Sequence, residues 1–278
     1  MDEGRADKFY VMILQKYSPC TQLGKFIKCY YYLENNDNKI INDTFFADGC
    51  IEAVFSLGWN FYQADNKENW AKIIGQIIKP RELKIVGSGQ SFGIWFYPHT
   101  FPRFSKVQMS ELNDRVVPWD VLFPKSFADF VGNCLYERQF EKLINGVDNF
   151  LLKKICGYEV QSMDILTESA VQYLYQHKTG SDLDRLASWL NVSQRYLQKA
   201  FLAKIGFSQK QFIRVLRFQQ ILQRLSQGEI PNLTGLAYEN DFYDQSHFVR
   251  EFKAFTGSPP SEFKARELPI NQHFIIQG

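Results

Sequence analysis

Two stretches near the end of the chain, Ser193-Gln-Arg-Tyr-Leu-Gln-Lys-Ala-Phe201 and Asp244-Gln-Ser-His-Phe-Val-Arg-Glu-Phe252, repeat one pattern 51 residues apart. Each opens on a residue type that caps helix N-termini well. Each also runs on to a glycine, Gly206 or Gly257, suited to the left-handed turn that ends a helix. Because internal repeats define architecture, the sequence predicts two copies of one helical unit.

Both copies have two distinct faces. Apolar residues four positions apart form a stripe on one face, at Leu197 and Phe201 in the first copy and at Phe248 and Phe252 in the second. A basic, amide-rich face on the other side of an apolar stripe suits the DNA major groove. The sequence therefore predicts helix-turn-helix units at about 181–206 and 232–257. Their outward residues are Arg195, Gln198 and Lys199, then Ser246, Val249 and Arg250.

Composition is that of a globular protein, with 278 residues, 45% hydrophobic content and a net charge of only +2. The distribution of charge is more informative than its total. The segment 193–227 contains seven Lys or Arg and no Asp or Glu. Such a segment is either a nucleic-acid surface or an ordinary solvated basic face.

The five cysteines are scattered and contain no CxxC pair, which favours reduced thiols over disulfides or a zinc site. The N-terminus is polar and has no signal-peptide pattern, and no window approaches 18 uninterrupted apolar residues. We therefore expect a cytoplasmic protein with no membrane span.

The first 120 residues have the pattern of β-strands. Short β-branched and aromatic runs alternate with turn residues, and little helical periodicity separates them, which indicates a small barrel or sandwich. The clearest strand candidates are 26–33, 51–57, 72–78 and 92–97.

Helical periodicity begins after Pro118–Pro124. It predicts two amphipathic helices within 127–151, hinged near Glu137, and a linker at Gly157-Tyr-Glu159. These helices could form a dimer seam or simply cover the sheet, and we favour dimerisation.

Further helices are predicted at 164–176, at 209–226 and after Pro259-Pro260. The last of these would follow a Pro-Pro start. Ser181 with Asp184 reads as a capping box for the first unit, and Asn232 or Thr234 as the cap of the second.

The segment Leu236-Ala-Tyr-Glu-Asn-Asp-Phe-Tyr-Asp-Gln-Ser-His-Phe-Val-Arg-Glu-Phe-Lys253, followed by Gly257-Ser-Pro259, resembles the signature of the AraC/XylS family of transcriptional regulators. The resemblance extends over 163–266. It also includes Leu186-Ala187, Gly206-Phe-Ser208 and Arg217. The family's turn glycine is replaced by Asn191 in one unit and Asp241 in the other. Both residue types tolerate the left-handed conformation, so the turns should survive.

The N-terminal half resembles, less strongly, the cupin-like sensor half of one AraC subgroup. The residues that carry this are Asp48-Gly-Cys-Ile-Glu-Ala-Val-Phe-Ser-Leu-Gly58, Gly93-Ile-Trp-Phe-Tyr-Pro98 and Leu112-Asn-Asp-Arg-Val-Val-Pro118. The expected fold class is α+β in two domains: a cupin-like β-barrel or sandwich with following helices, then an all-α double helix-turn-helix domain. The expected boundaries are 1–120, 121–160 for the helical segment, 161–268 for the DNA-binding domain and 269–278 for a tail.

The resemblance implies a role for each outward residue. Arg195, Gln198, Lys199, Ser246, Val249 and Arg250 would read bases. Ser193, Lys204, Lys210, Gln245 and Lys253 would contact the DNA backbone and position the domain. Arg217 is expected to make a structural ion pair, and His247 to have a supporting, hydrogen-bonded role.

Nothing in the sequence favours catalysis. His99 is the one histidine in the N-terminal half, so a metal-dependent cupin enzyme is not expected. Asp48, Glu52 and Asp120 have no spacing that supports an acid/base pair, and the alternation around Glu52 predicts a side chain facing solvent.

The aromatic residues between Trp59 and Tyr97 could line a ligand pocket or only fill a core. We therefore expect a cytoplasmic transcriptional regulator without enzymatic activity, cofactor or metal. Its expected partners are double-stranded promoter or operator DNA, RNA polymerase, a second copy of the chain and a possible small-molecule effector. Two alternatives stay open: a ligand-independent regulator whose first half only dimerises, and an enzyme or DNA-repair protein that uses the helical units for targeting.

Overall fold

The computed structural model describes residues 12–64, 66–177, 183–226, 233–240 and 242–263. Within these ranges the N-terminal half consists of β-strands, which then give way to helices. The strands are β1 (Met12–Tyr17), β2 (Ile27–Asn35), β3 (Ile41–Phe45), β4 (Ile51–Leu57), β5 (Asn60–Gln63), β6 (Asn66–Lys67), β7 (Ala71–Ile74), β8 (Arg81–Val86), β9 (Gly89–Phe96) and β10 (Val116–Pro118).

The strands form two antiparallel sheets. The larger has the order β1-β2-β9-β4-β7-β10 and the smaller β3-β8-β5-β6. The four strands predicted from the sequence are present, but β7 ends at Ile74 instead of Ile78. The chain leaves the sheet at Gly75, where an added Cβ would lie 1.7 Å from the backbone oxygen of Leu112. Only glycine allows that approach.

Both faces of the large sheet are covered. On β4, Ile51, Ala53 and Phe55 point towards three helices that follow the strands, α1 (Trp119–Leu122), α2 (Lys125–Tyr136) and α3 (Phe140–Cys156). The opposite face packs against the small sheet, where Trp59, Phe61 and Ile85 are buried. This two-sided burial explains why the central strands are apolar almost throughout.

The helix pair α2–α3 is confirmed, with its hinge at Arg138, whose φ is +56°. Leu143, Val147 and Leu151 are fully buried against the sheet, and the Phe127 and Phe150 rings stack with centroids 3.9 Å apart. The apolar faces of these helices therefore cover the sheet. A dimer contact would have to use their other faces.

The helical half contains α4 (Ser162–His177), α5 (Leu183–Trp189), α6 (Gln194–Lys204), α7 (Gln209–Ser226), α8 (Leu233–Glu239) and α9 (Gln245–Thr256). The predicted helices at 164–176 and 209–226 are confirmed. Helix α8 begins at Leu233, so Thr234 is inside the helix and is not its cap. The predicted capping box (Ser181) and the alternative cap Asn232 lie outside the described residues. So does the chain beyond Phe263, where the final helix was predicted; Ser261 and Glu262 before it lie in a turn.

The two halves share a continuous interface. Phe46 and Ala47 of the first half are buried in the core of the helical half. An added Cβ on Gly49 would lie 3.4 Å from the Val215 side chain on α7. Arg103 also forms an ion pair of 2.9 Å with Glu168 on α4. Among the helices in the described ranges, none is both long and apolar enough to cross a membrane.

Candidate nucleic-acid interface

The first helix-turn-helix unit consists of α5, a tight turn and α6. Asn191 in the turn has a φ of +53°, which confirms that it takes the left-handed conformation in place of glycine. The Ser193 hydroxyl accepts a hydrogen bond of 3.2 Å from the Tyr196 backbone N–H, so it caps α6 as predicted. Gly206, with a φ of +85°, turns the chain away after the helix ends.

The second unit repeats this arrangement with α8 and α9. The Asp244 carboxylate accepts a hydrogen bond of 2.7 Å from the His247 backbone N–H, and Gly257 ends α9 with a φ of +82°. Asp241, the other expected turn residue, lies outside the described residues. The His247 ring lies 5.4 Å from the Phe242 ring, centroid to centroid.

The stripes predicted to be buried are buried. Leu197 and Phe201 on α6 and Phe248 on α9 have no exposed surface, and Phe252 keeps 2%. They belong to a hydrophobic core that also contains residues of α7, so each recognition helix is packed against the interior of the helical half. Packing of this kind fixes the direction in which the opposite face points.

The opposite face carries the residues predicted to read bases. Arg195, Gln198 and Lys199 on α6 are exposed, as are Ser246 and Arg250 on α9, whereas Val249 is half-buried. On α9 five of the predicted residues line one shallow groove, namely Gln245, Ser246, Val249, Arg250 and Lys253. Each helix therefore presents a polar surface in one direction.

Lys204 requires a correction, because it does not lie on that surface. It is buried, with 7% of its surface exposed. Its ammonium group lies 2.7 Å from an Asp164 carboxylate oxygen and donates to Gln161 Oε1 at 2.8 Å and to the Tyr158 hydroxyl at 3.2 Å. All three donors are used inside the protein, so Lys204 ties α6 to the start of α4 and is not available to a phosphate.

Fewer basic side chains of the segment 193–227 are available at the surface than its sequence indicates. Arg214 pairs with Glu251 and Arg224 pairs with Glu239, so acidic residues outside the segment neutralise part of it. Arg217 is half-buried, and its guanidinium lies 5.9 Å from the centre of the Phe242 ring. Three of the seven basic residues are exposed: Arg195, Lys199 and Lys210.

Comparison with known proteins agrees with this geometry. Residues 186–266 match a family described as a helix-turn-helix domain, and residues 15–118 match one described as a domain of unknown function. The arabinose operon regulatory protein of Salmonella typhimurium is 28% identical over 150 residues, which cover 51% of this chain and 53% of that protein. The C-terminal part of the chain therefore carries a helix-turn-helix domain.

A longer match is found outside the arabinose regulators. The Msm operon regulatory protein of Streptococcus mutans is 28% identical over 221 residues, covering 76% of this chain and 73% of that protein. By contrast, the chain spans about half the length of the arabinose operon regulatory proteins it matches. Both of these relatives are described as operon regulatory proteins.

Two solved structures resemble the chain loosely. The C-terminal domain of AraT, a response regulator from Geobacillus stearothermophilus, is 26% identical with a TM-score of 0.34, covering 37% of this chain and 85% of that one. ToxT from Vibrio cholerae O395 is 10% identical with a TM-score of 0.43, covering 97% and 98%.

A cavity of about 400 Å³ lies where the helical half meets the β-sheets. Helix α7, which joins the two helix-turn-helix units, forms one wall. The space between the two sheets themselves is much smaller, at about 40 Å³. The larger cavity therefore lies at the junction with the helical half and not between the two sheets. Its polar and aromatic lining includes Lys28, Asp48, Cys50, Glu52, Trp95, Tyr97, Tyr175, Gln219, Gln220 and Gln223.

Glu52 lines this cavity, so the prediction that it faces solvent is wrong. Its neighbours on β4, Ile51 and Ala53, point into the helix-covered core, and Glu52 therefore points the other way. Burial first, and then the negative charge of Asp48, raise the pKa of Glu52 to about 8. At neutral pH this carboxyl is mostly protonated and can both donate and accept hydrogen bonds.

The other ionisable groups in the described part of the first half do not form a metal-binding cluster. Within the described ranges, no three His, Cys, Asp or Glu side chains are grouped so that they could hold a metal ion. Burial first, and then the charge of Arg103, lower the pKa of His99 to about 4, which keeps this imidazole neutral. All five cysteines are free thiols.

Proposed function

We propose that the chain is a sequence-specific DNA-binding transcription regulator. The observation that carries this proposal is the pair of capped helices, α6 and α9, each with a buried apolar stripe and an exposed polar face. One protein chain would insert both helices into successive major-groove segments of one duplex. The match of residues 186–266 to a helix-turn-helix domain family supports the same assignment.

We assign roles to side chains according to what they present. Arg195 and Arg250 would each grip guanine O6 and N7, Gln198 adenine, and Val249 a thymine methyl, with Lys199 and Ser246 beside them. Phosphates would be met by exposed donors that carry no sequence information. These are Ser193, Lys210, Gln245 and Lys253, and Lys204 is removed from this set.

Replacing either arginine tests the base-reading assignment. Arg195→Ala and Arg250→Ala are each expected to cost about 1–3 kcal/mol of binding and to relax base preference in different halves of the target. The target would first be selected from a random duplex pool, and affinities then measured by fluorescence anisotropy on duplexes altered in one half at a time. Lys210→Ala is the matched control, since it should weaken all sequences equally. If Arg195→Ala also weakened all sequences equally, its assignment would be wrong.

We further propose that a small-molecule effector binds in the cavity between the sheets and α7. A volume of about 400 Å³ lies in the range of small-ligand sites, and aromatic walls with a few polar groups are typical of them. The competing possibility, in which the first half serves only dimerisation, leaves this cavity without a role. RNA polymerase and a second copy of the chain are proposed as further partners, and the cytoplasm as the location.

A thermal-shift screen on the full chain distinguishes these two possibilities. Sugars, amino acids, nucleotides and aromatic metabolites would be tested, because a ligand that binds only the folded state raises the melting temperature. Gln220→Trp, which fills the cavity from α7, is the control and should abolish any shift. If no compound raises the melting temperature of the unmodified protein, the dimerisation possibility is favoured and DNA binding is unaffected.

A further inference from the structure

The end of the first recognition helix is held by two amide side chains from the β-sheet half. Gln76 Nε2 donates a hydrogen bond of 2.6 Å to the Ile205 carbonyl, and Asn113 Nδ2 donates one of 2.9 Å to the Gly206 carbonyl. The last carbonyls of a helix have no partner within the helix. These two donors therefore cap α6 from outside its own domain.

The two amides are themselves fixed on one rigid edge. The Asp114 N–H donates to the Gln76 carbonyl at 2.9 Å, and the Gly75 N–H donates to the Arg115 carbonyl at 2.9 Å, so the segments that carry Gln76 and Asn113 are bonded together. Gln76 is buried, with 1% of its surface exposed. Its position is determined by the backbone of the sheet half.

The contact at the end of α6 is also so close that it leaves no room for a side chain at position 206. A Cβ added to Gly206 would lie 2.9 Å from the carbonyl carbon and oxygen of Met109, just before the segment that carries Asn113. Because Gly206 also has a positive φ, two independent constraints require glycine there. The end of α6 is thus seated directly against the sheet half.

The same edge forms part of the cavity wall. Ile74, Gly75 and Ile77 line the cavity, and Gln76 lies between them in sequence. A shift of this segment changes the cavity and moves the Gln76 amide. Three residues of the segment 74–77 therefore line the cavity, and the fourth, Gln76, bonds to the end of the first recognition helix.

We propose that Gln76 and Asn113 are positioning residues that set the orientation of α6 and couple it to the cavity. This proposal rests on the proposed DNA-binding function and names the residues through which the sheet half would control it. Because both bonds end on the two residues that directly follow α6, their loss should weaken binding to the half of the target that α6 reads. Binding to the half of the target that α9 reads should be unchanged.

The test compares the double variant Gln76→Met/Asn113→Ala with the unmodified protein. Two net hydrogen bonds correspond to roughly tenfold in affinity. We expect the double variant to lose about that much affinity for the selected duplex. It should lose none for a duplex in which the base sequence of the half read by α6 has been scrambled. Glu168→Gln is the matched control, because Glu168 also bonds across the two halves of the protein, to Arg103, but from α4 and away from the cavity. This control variant should not change the relative affinity for the two halves of the DNA target.

Hydrogen exchange in the absence of DNA gives an independent readout. The double variant should speed amide exchange over 201–206 and leave 245–256 unchanged. This readout stands even if no DNA sequence is selected, a result that would count against the proposed function alone. Equal loss on both halves of the target, tighter binding by the double variant, or unchanged exchange over 201–206 would each overturn the positioning role.

A separate variant tests the coupling between the cavity and α6. Ile77→Ala enlarges the cavity next to Gln76. It should change the affinity for the half of the target read by α6 by at least about threefold, which is no more than the net contribution of one hydrogen bond. The same change made in the Gln76→Met/Asn113→Ala background should have no further effect. An effect of equal size in both backgrounds would show that coupling does not pass through these amides.

Discussion

Lys204→Met is expected to lower the free energy of unfolding by about 3–5 kcal/mol, the cost of breaking a buried ion pair by removing one partner. Lys204 is the cation for Asp164, whose side chain has no exposed surface. Burial alone would raise the pKa of Asp164, but hydrogen bonds from Lys204, the Gln161 N–H and Tyr158 hold it below its usual value. Without Lys204 that carboxylate is left buried with no counter-ion, so α4 and α6 should separate more easily. Urea denaturation at pH 7 measures the effect.

Lys210→Met is the matched control, because Lys210 is an exposed lysine close to Lys204 in the sequence. A surface change of this kind should stay within about 0.5 kcal/mol. The double variant Lys204→Met/Asp164→Asn should recover part of the loss, since it removes the stranded charge. If Lys204→Met left stability unchanged and weakened DNA binding evenly, the lysine would be a phosphate contact after all.

Glu52→Gln is expected to stabilise the protein increasingly as pH rises from 5 to 8. The pKa of Glu52 is raised in the folded state from about 4.5 to about 8. The folded state therefore holds a proton that the unfolded state releases. The stability this proton contributes is fully present below pH 4.5 and is lost as pH rises through 8. Between pH 5 and 8 the loss amounts to roughly 3 kcal/mol, at 1.36 kcal/mol for each pKa unit.

The measurement is the difference in unfolding free energy between the unmodified protein and Glu52→Gln, taken at several pH values. Glutamine cannot titrate and keeps the size of a protonated glutamate, so the difference isolates this one group. Glu82→Gln on the opposing sheet is the control, since Glu82 is exposed and should give a flat difference. A difference that did not change between pH 5 and 8 would show that Glu52 is solvated.

Local signals allowed much of the fold to be predicted. The caps at Ser193 and Asp244, the left-handed Asn191 and the buried stripes of α6 and α9 all depend on residues within a few positions of one another. Such patterns are visible in a sequence because helix geometry brings those positions together. Strands β2, β4 and β9 could also be predicted, because each contains a run rich in β-branched and aromatic residues next to turn residues.

The remaining features depend on contacts between distant parts of the chain. Lys204 looks like any surface lysine until α4 brings Asp164 beside it. Glu52 looks solvent-facing because alternation on β4 does not reveal that a second sheet covers the other face. Gln76 and Asn113 have no signal in the sequence, since their partners are backbone carbonyls about 90 or more residues away.

Hydroxyl-radical footprinting of a single protein molecule on its selected duplex tests the central claim most directly. If α6 and α9 both read DNA, two protected segments should appear on one face of the duplex, about 10 base pairs apart. Arg250→Ala should weaken protection of one segment and leave the other. A single short protected segment for each bound molecule, unchanged by Arg250→Ala, would contradict the account.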